Sequence, residues 1–570
     1  MKRFISILLL TSLLVGGSWL RADVRMPLIF GNHMVLQQDG KLSIWGWAES
    51  GEKVKVSFLG QEATAVAGAD GKWMVNLKPV KQQKEGATLT VTGNNELIFT
   101  DVLVGDVWVA SGQSNMEWGL KLKKDYAEDV AQSADSLLRL FFVPKNTSLE
   151  PLTNIEKPKG TENPRVAARW VLCNPKNLFE INGQGFSAAA FYFARDMRAA
   201  RKCPVGIIQS AWGGTRAEAW TSISGLKQEP SLKHYVDRYE QNVKNNPEIM
   251  QNFAQRKREF DIAIREWNRT VGKEWDQAQK EWAVEVKKAQ KEGRQAPPKP
   301  EPRTKRPSDP PKPNGGNNGP SNLFNAMISP LMPLSIKGVI WYQGEFNSGG
   351  SGKEYATLFP RMIKDWREKW GIGDFPFLFV QLPNFGPVDT EPSAEGGGWR
   401  WVREGQVKAL DLPNTAMATT IDIGDVIELH PADKYDVGHR LALAARRLAH
   451  NEKIVGMGPL YKGMQVKGDK IIIEFSNQGK KLVMGTSPYV PAGASKPAKP
   501  TKLTGFGMAG SDQKFYWADA VIQGNKVVVS SEKVKEPVAV RYGFSNSPLC
   551  NLYNEAGLPA SPFRTDNWEK

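Results

Sequence analysis

The sequence predicts an α/β protein: a parallel sheet covered by helices on both faces, flanked by β-rich segments and interrupted by a helical insertion. Three observations support this fold class. Buried-type strands alternate with helices from about residue 106 to 455, runs of alternating polarity occupy the segments before and after, and a charged stretch at 225–320 breaks the alternation. The chain of 570 residues is long enough for about two or three hydrophobic cores.

The first 22 residues are typical of a signal peptide. Lys2 and Arg3 form a basic start, the apolar run 4–15 is too short to span a bilayer, and a cleavage site follows Ala22. We therefore expect a secreted or periplasmic protein. No other stretch of the sequence is long and apolar enough to predict a membrane span.

Residues 23–105 are predicted to form a β domain, because short runs alternate between apolar and polar residues. The predicted strands are Leu42–Trp47, Lys53–Leu59, Lys72–Leu77 and Thr88–Thr92. Asp70-Gly71 is a strong signal for a hairpin turn between two of them.

Residues 106–455 are predicted to form the central α/β domain. The predicted strands are Asp106–Ala110, Val205–Gln209, Gly338–Tyr342, Phe377–Gln381 and Ala416–Ile421, and the predicted helices are Phe186–Ala200, Tyr355–Lys369 and Ala432–His450. The remaining segment, 456–570, again has the alternation of β-strands, at Lys470–Phe475, Lys526–Ser530 and Val538–Phe544.

The insertion at 225–320 has two parts. Lys227–Lys291 is charged and helical, and its tryptophans 267, 275 and 282 share the spacing of one face of a helical hairpin. A Pro/Lys-rich stretch from Ala296 to Pro313 and a Gly/Asn stretch after it predict an extended, mobile linker. We interpret the whole as a solvated insertion, in preference to a partner-binding arm, and expect it to be dispensable for the activity of the domain.

Composition excludes several classes of protein. The net charge of +15 is spread along the chain, which favours a surface property over a nucleic-acid partner. Three cysteines cannot build a disulfide scaffold and are predicted to be buried thiols. With only five histidines in addition, the chain has little material for a zinc site, and we expect neither a metal nor a cofactor.

A first candidate site follows the buried strand that starts at Asp106, in the segment 111–118. A strand-to-helix turn at the carboxyl edge of a parallel sheet exposes a small nucleophile, and Gly112 would let the backbone turn tightly before Ser114. An ordinary polar cap of the following helix is the alternative.

Two further segments could stabilise an anion. Gly185, in the segment 182–187, opens a predicted helix and could offer a backbone N–H, although a simple turn is the alternative. Gln343 follows another strand and could donate its side-chain amide, and Glu345 could accept hydrogen bonds that hold this loop.

The fourth segment, 422–431, carries a candidate base. His430 lies within eight residues of three carboxylates, Asp422, Asp425 and Glu428. A serine nucleophile needs a base with a near-neutral pKa, and a carboxylate orients that base. The sequence therefore favours a catalytic over a structural histidine.

Several ordered motifs together resemble the sialate O-acetylesterases, a branch of the SGNH hydrolases. They are Ile29–Gln37, Gly112-Gln113-Ser114-Asn115-Met116, Trp212-Gly213-Gly214-Thr215, Trp341-Tyr342-Gln343-Gly344-Glu345, Leu429-His430-Pro431 with Lys434, Gly438, Arg440 and Leu441, and Asn551–Asn554 with Gly557–Asp566. The resemblance covers nearly the whole chain after residue 22 except the insertion. It implies an SGNH-type three-layer α/β/α domain with flanking β-sandwich-like parts.

The resemblance also implies roles for particular residues. Ser114 would be the nucleophile and His430 the base, and the oxyanion donors would be the N–H groups of Ser114 and Gly185 and the side chain of Gln343. SGNH enzymes commonly place an aspartate three residues before the histidine, where this chain has Ile427. Glu428, two residues before it, is the acid we predict.

Other acids remain open for that role, namely Asp422, Asp425 and Glu345. The segment 325–330 also departs from its relatives, since Ala326 and Ser329 replace a glycine and a histidine.

The implied function is removal of O-acetyl groups from carbohydrates by a serine esterase. O-acetylated sialic acid is the favoured substrate, and acetylxylan or another plant glycan is the alternative. A non-catalytic carbohydrate-binding protein is the alternative of a different class, and the oligomeric state stays open.

Overall fold

A computed structural model describes residues 23–123, 126–156, 168–181, 183–292, 294–295, 297–392, 397–425, 427–486 and 500–568. The predicted signal peptide at 1–22, Asn182 of the second candidate segment and Val426 of the fourth lie outside the described residues. No described helix has the length and hydropathy needed to cross a membrane.

The N-terminal part is built of seven strands. They are β1 Val35–Gln37, β2 Leu42–Trp47, β3 Lys53–Phe58, β4 Gln61–Val66, β5 Lys72–Leu77, β6 Gln83–Thr92 and β7 Glu96–Gly112. β2 pairs with β5 in a two-stranded sheet, whereas β3 pairs with β4 and β6, and β6 pairs with β7. The hairpin predicted at Asp70-Gly71 is therefore wrong. The chain turns there, but β4 and β5 belong to different sheets, because a turn signal reverses the backbone without selecting the partner strand.

The central domain has the predicted α/β order. Its main elements are α1 Ser114–Glu117, α2 Tyr126–Ala131, β8 Asp135–Phe142, β9 Trp170–Cys173, α3 Pro175–Glu180, α4 Ala188–Arg201, β10 Val205–Ala211, α5 Ile223–Lys227, α6 Lys233–Trp267, α7 Lys273–Lys291, β11 Gly338–Tyr342, α8 Tyr355–Trp370, β12 Phe377–Gln381, α9 Trp399–Lys408, β13 Thr415–Thr419 and α10 Lys434–His450. Short 3-10 or π turns lie at Leu120–Leu122, Ala217–Trp220, Pro230–Leu232, Asn268–Gly272, Pro313–Asn318, Phe324–Ile328, Ser329–Leu331, Glu345–Asn347 and Ala409–Asp411.

The central sheet has the order β13-β12-β11-β7-β10-β8-β9, and every neighbouring pair is parallel except β8 with β9. Helices cover both faces. Trp108 of β7 contacts Phe193 of α4, whereas Trp341 of β11 contacts Phe359 of α8 on the opposite face. The predicted three-layer α/β/α class is confirmed. Strands β10, β11, β12 and β13 are buried along their length, which explains why they appear in the sequence as continuous apolar runs. Strands β8 and β9 carry partly exposed residues and were not predicted.

One strand joins the N-terminal part to the central domain. The first half of β7 pairs with β6 and β1, and its second half pairs with β10 and β11. The domain boundary predicted at residue 105 thus falls inside a continuous strand. The nucleophile candidate at the end of β7 is held by both sheets.

The insertion differs from its prediction in two respects. The helices α6 and α7 are joined by the π turn Asn268–Gly272 with helical backbone at both junctions, so they form one long helix and not a hairpin. The Pro-rich segment is extended but lies along this helix, where it accepts hydrogen bonds from the three tryptophans of the helix. The prediction of a mobile linker missed this contact, because composition shows that a segment is extended but not what it packs on.

The C-terminal part is β-rich, as predicted. Its strands are β14 Leu460–Lys467, β15 Lys470–Ser476, β16 Leu482–Met484, β17 Phe506–Ala509, β18 Phe515–Trp517, β19 Asp519–Gln523, β20 Lys526–Ser530, β21 Ala539–Tyr542, β22 Leu552–Asn554 and β23 Phe563–Arg564. They enclose a second apolar core that includes Ile471, Val527 and Phe506. The three cysteines are free and buried, which confirms the prediction of buried thiols.

Candidate active site

Ser114 lies at the turn between β7 and α1. Gly112 precedes it with φ +137°, and a Cβ at this glycine would lie 2.1 Å from the carbonyl oxygen of Tyr342, so a side chain cannot fit there. The turn is fixed further by the Gln113 N–H, which donates to the same carbonyl at 3.0 Å. As a result the partly exposed Ser114 stands at the carboxyl edge of the sheet.

Ser114 opens onto a cavity of about 1170 Å³. The cavity is lined by Ser114, Glu117, Trp118, Leu122, Lys123, Lys145, Gln184, Glu428, His430, Ala432, Asp433 and Tyr435. Two aromatic rings and charged groups of both signs meet here, a combination suited to a polar ligand that also has apolar faces. The structure therefore brings the first and fourth candidate segments to one site.

His430 and Glu428 contact each other on the rim of this cavity. The Glu428 Oε1 lies 3.2 Å from the His430 Nδ1 and accepts the His430 backbone N–H at 2.9 Å. Their side chains are 31% and 59% exposed, respectively, so solvent weakens the pairing. Since Nδ1 faces the carboxylate, the other ring nitrogen is left to act on a neighbouring group.

The electrostatic surroundings favour a neutral imidazole at His430. Its partial burial lowers the pKa below the usual value, the charge of Lys434 lowers it further, and Glu428 and Glu117 oppose these effects. A neutral ring at neutral pH can accept a proton, which is the property that a general base needs.

The other candidate acids have different partners. Asp422 is buried and accepts two hydrogen bonds from Arg440, at 2.6 and 2.8 Å, and one from the Tyr553 hydroxyl. Asp425 Oδ1 accepts the N–H groups of Ile427 and Glu428, both at 2.9 Å. Of the four carboxylates singled out in the sequence, Glu428 is the one in contact with His430.

Glu345 lies beneath the His430 loop in a buried polar network. Its Oε1 accepts from the Asn115 Nδ2 at 2.5 Å, and burial raises the pKa of this carboxyl. Asn115 also donates to the Leu429 carbonyl at 3.1 Å and accepts from Lys434 at 2.7 Å, and Lys434 donates to the Pro431 carbonyl at 2.5 Å. The network thus holds the two carbonyls that flank His430.

Sequence reasoning placed Asn115 and Lys434 in motifs but assigned neither a role. Lys434 is fully buried, and burial lowers the pKa of its ammonium to about 7. The sequence does contain a signal for Lys434: a long cationic side chain follows the histidine motif on a helix face that is otherwise apolar. Only the fold shows that this side chain points inward.

The predicted oxyanion donors Gly185 and Gln343 differ in their surroundings. Gln184 lines the cavity, and its neighbour Gly185 is buried with φ +84°. The Gln343 amide is fully buried, and its Nε2 donates to the Thr215 carbonyl at 3.1 Å and to the Asn347 Oδ1 at 2.7 Å. Gln343 would have to release one of these acceptors to serve an oxyanion, and its role stays a prediction.

Gly213 is a site residue to which sequence reasoning assigned no role. A Cβ at this position would lie 3.2 Å from the Cβ of Ser114, and its N–H donates to the Glu117 Oε2 at 2.6 Å. Glu117 is also ion-paired with Lys145. The Gly213 N–H therefore lies beside the candidate nucleophile and donates to a carboxylate oxygen.

Comparison with known proteins identifies a family for this chain. The family model described as carbohydrate esterase, sialic acid-specific acetylesterase, matches residues 104–255 and 317–447, and the gap between the two matches lies within the insertion. The sialate O-acetylesterase of Rattus norvegicus is 30% identical over 474 residues, which cover 78% of this chain and 77% of the relative. The enzyme of the same name from Mus musculus is 28% identical over 95% of this chain and 94% of its own.

A solved structure is similar along nearly the whole chain. The crystal structure of a carbohydrate acetylesterase from Xanthomonas citri is 34% identical, with a TM-score of 0.71, and the alignment covers 96% of this chain and 100% of that one. The fold, the family match and the extent of these alignments agree with one another. The chain belongs to the sialate O-acetylesterase family of carbohydrate esterases and is a carboxylic ester hydrolase.

Proposed function

We propose that this esterase removes O-acetyl groups from sialic acid by a Ser114–His430 acyl-enzyme mechanism, after export and removal of residues 1–22. The observation that carries the proposal is the meeting of Ser114, His430 and Glu428 in one cavity. A nucleophile, a neutral base and a carboxylate that orients the base are the parts that acyl transfer needs.

The proposed reaction has two steps. His430 takes the Ser114 proton as the serine oxygen attacks the acetyl carbonyl, and the tetrahedral intermediate collapses when His430 protonates the departing sugar hydroxyl. Water, deprotonated by His430, then attacks the acetyl-serine, and His430 returns the proton to the Ser114 oxygen as acetate leaves. Glu428 holds the ring through Nδ1 and stabilises the imidazolium that forms in each step.

The negative oxygen of each tetrahedral intermediate needs donors that are already in place. The N–H groups of Ser114 and Gly185 are the proposed donors of this kind. The Gln343 side chain is proposed to join them by releasing Thr215 or Asn347 as its acceptor. The Gly213 N–H is a further backbone donor beside Ser114. Its bond to Glu117 supports the view that this point of the cavity favours negative oxygen.

The names of the matching family and of the relatives favour sialic acid over plant glycans as the carrier of the acetyl group. The matching family model is sialic acid-specific, and the relatives from rat and mouse are sialate O-acetylesterases. We expect kcat/KM for acetate release from O-acetylated sialic acid to exceed that from acetylated xylan at least about tenfold, or about 1.4 kcal/mol in transition-state binding. Acetate release from both substrates at matched acetyl concentration measures this ratio, and a ratio below one would assign the enzyme to plant glycans.

The role of Glu428 has a pH signature. Because Glu428 raises the pKa of His430, Glu428→Gln should lower this pKa further, and the acid limb of the kcat/KM profile should move to lower pH. The maximal rate should fall about tenfold, less than for a buried triad acid, since Glu428 is more than half exposed. The profile is measured between about pH 4 and 8 with a chromogenic acetate ester.

The matched control for this variant is Glu474→Gln, which removes an exposed, lysine-paired carboxylate of the C-terminal part. It should leave both the rate and the acid limb unchanged. An acid limb of Glu428→Gln that stays in place or moves to higher pH would show that Glu428 does not act on His430, and the enzyme would then work as a Ser–His dyad.

A further inference from the structure

The long helix of the insertion and the extended segment that returns along it form one unit, here called the arm (residues 233–292 and 297–313). The Nε1 atoms of Trp267, Trp275 and Trp282 donate to the carbonyls of Thr304, Pro300 and Pro297, at 3.1, 3.1 and 2.8 Å. As the helix proceeds, the acceptors move backwards along the chain, so the two parts run antiparallel.

The spacing of the tryptophans along the helix matches the spacing of their acceptor carbonyls along the extended segment. The fifteen residues between Trp267 and Trp282 span about 22 Å of helix at about 1.5 Å each. The seven residues between Pro297 and Thr304 span about 22 Å of polyproline-type chain at about 3.1 Å each. Each of the three indoles therefore meets a carbonyl of the extended segment, and these bonds stiffen the arm along this length.

The arm is attached to the body of the enzyme at its base. Tyr235 is buried, and its hydroxyl donates to Glu354 at 2.5 Å. Arg238 pairs with the buried Glu218 at 2.8 Å. The middle of the helix, in contrast, is largely exposed to solvent.

The far end of the helix is attached a second time. Val286 is fully buried, and it packs with Trp282 of the arm and with Val388 and Ile427 of the catalytic domain. Val388 follows β12, and Ile427 lies in the loop between β13 and α10. The neighbouring Val284, on the other side of the helix, is 68% exposed, so the covered face of the helix at this point is the one that packs against Val388 and Ile427.

Ile427 belongs to the loop that carries the proposed acid and base. Its N–H and that of Glu428 share one acceptor, the Asp425 Oδ1, and Glu428 in turn accepts the N–H of His430. From below, the loop is held by Asn115 and Lys434 through the carbonyls on either side of His430. On the outer side, Glu428 is exposed, and Ile427 is the neighbouring residue that packs on apolar groups of the arm.

We propose that the arm is a brace for the catalytic loop: Val286, pressed on Ile427, positions Glu428 against His430. Val286 is a positioning residue, since it acts through the loop and does not line the cavity. This inference rests on the proposed roles of Glu428 and His430. It reverses the expectation from the sequence that the insertion is dispensable for activity.

The test compares Val286→Asp with Val284→Asp in the full-length enzyme. Both place the same charge on the same helix, two residues apart, but only the first one buries it against Ile427. We expect Val286→Asp to lower kcat on a chromogenic acetate ester about tenfold with little change in KM, because a displaced base slows the reaction more than it weakens binding. Val284→Asp should match the wild type.

The pH profile distinguishes a loss of Glu428 positioning from a general disturbance of the fold. Glu428 raises the pKa of His430, while Lys434 and Glu117, which also act on this pKa, lie on other elements that the substitution leaves in place. The neutral variant Val286→Ser, which opens the same contact without adding a charge near His430, should therefore move the acid limb to lower pH, as Glu428→Gln does. It should add little to the effect of Glu428→Gln in the double variant. Val286→Ile should restore the wild-type rate and profile.

A second variant tests the same contact without a substitution in the arm, so that unfolding of the arm cannot explain its effect. Ile427→Ser removes the contact from the other side without touching the helix, and it should reproduce the loss in kcat and the shift of the acid limb. If Val286→Asp and Ile427→Ser both behave like Val284→Asp, the brace is refuted. If His430→Asn and Ser114→Ala retain activity, it is the proposed mechanism that fails instead.

Discussion

Replacing Ser114 with alanine is expected to lower kcat for an acetate ester about a millionfold while the protein stays folded. A nucleophile of a serine hydrolase contributes about this factor, because without its oxygen no acyl-enzyme can form. Ser114 is partly exposed at a turn whose geometry is set by Gly112 and by the Gln113 N–H, so loss of the hydroxyl removes no packing that holds the fold.

The measurement is initial-rate kinetics on a chromogenic acetate ester, together with thermal unfolding. Ser476→Ala is the matched control, since Ser476 is another partly exposed serine, in the C-terminal part, and does not line the cavity. Both variants should unfold near the wild-type temperature. Activity of Ser114→Ala within about tenfold of the wild type would remove Ser114 from the mechanism and would reopen the question of which group forms the acyl bond.

Replacing His430 with asparagine is expected to lower kcat by a comparable factor, at least about ten-thousandfold. Without a base, the serine hydroxyl keeps its proton at neutral pH and attacks the carbonyl poorly. The low pKa of His430, set by burial and by Lys434, means that the neutral ring persists below the usual titration range of histidine. The wild-type rate should therefore decline only at a pH below about 6.5.

His33→Asn is the matched control for this variant. His33 also pairs with a carboxylate through Nδ1, at 2.7 Å from Asp101, and its side chain is 40% exposed, but it lies in the N-terminal part. It should retain full activity. The double variant Ser114→Ala/His430→Asn should be no slower than either single variant, because the two groups act as one unit. Additive losses would contradict a shared proton transfer.

The core of the fold could be predicted from the sequence alone. Strands β10 to β13 are buried on both faces, so each appears as a short apolar run whose limits hardly depend on its neighbours. Strands β8 and β9 were missed because their partly exposed residues interrupt the apolar pattern. Strand β11 and strand β12 begin and end at the predicted residues, and the flanking β-rich parts follow from their alternation. The hairpin at Asp70-Gly71 failed because the strands on its two sides found other partners.

The candidate site could be predicted in part. Chemistry-bearing residues at the ends of parallel strands meet at one edge of the sheet, which is why Ser114 and His430 could be assigned from their positions in the chain. Side chains two residues apart in an extended segment lie on the same side, which is the physical basis for predicting Glu428 as the neighbour of His430. The role of Gln343 could not be judged in this way, because its partners Thr215 and Asn347 come from other elements.

The sequence by itself determined the family, the α/β order and the residues that could carry the chemistry, because these depend on local patterns and on motifs in a fixed order. Only the tertiary structure decided which acid contacts His430, which groups hold its loop, and where the insertion goes. Glu428 contacts the ring, whereas Asp422 pairs with Arg440 from the next helix. Val286 packs against Ile427, which lies more than a hundred residues away in the chain. Such contacts depend on how distant segments approach in space, and no local pattern records that.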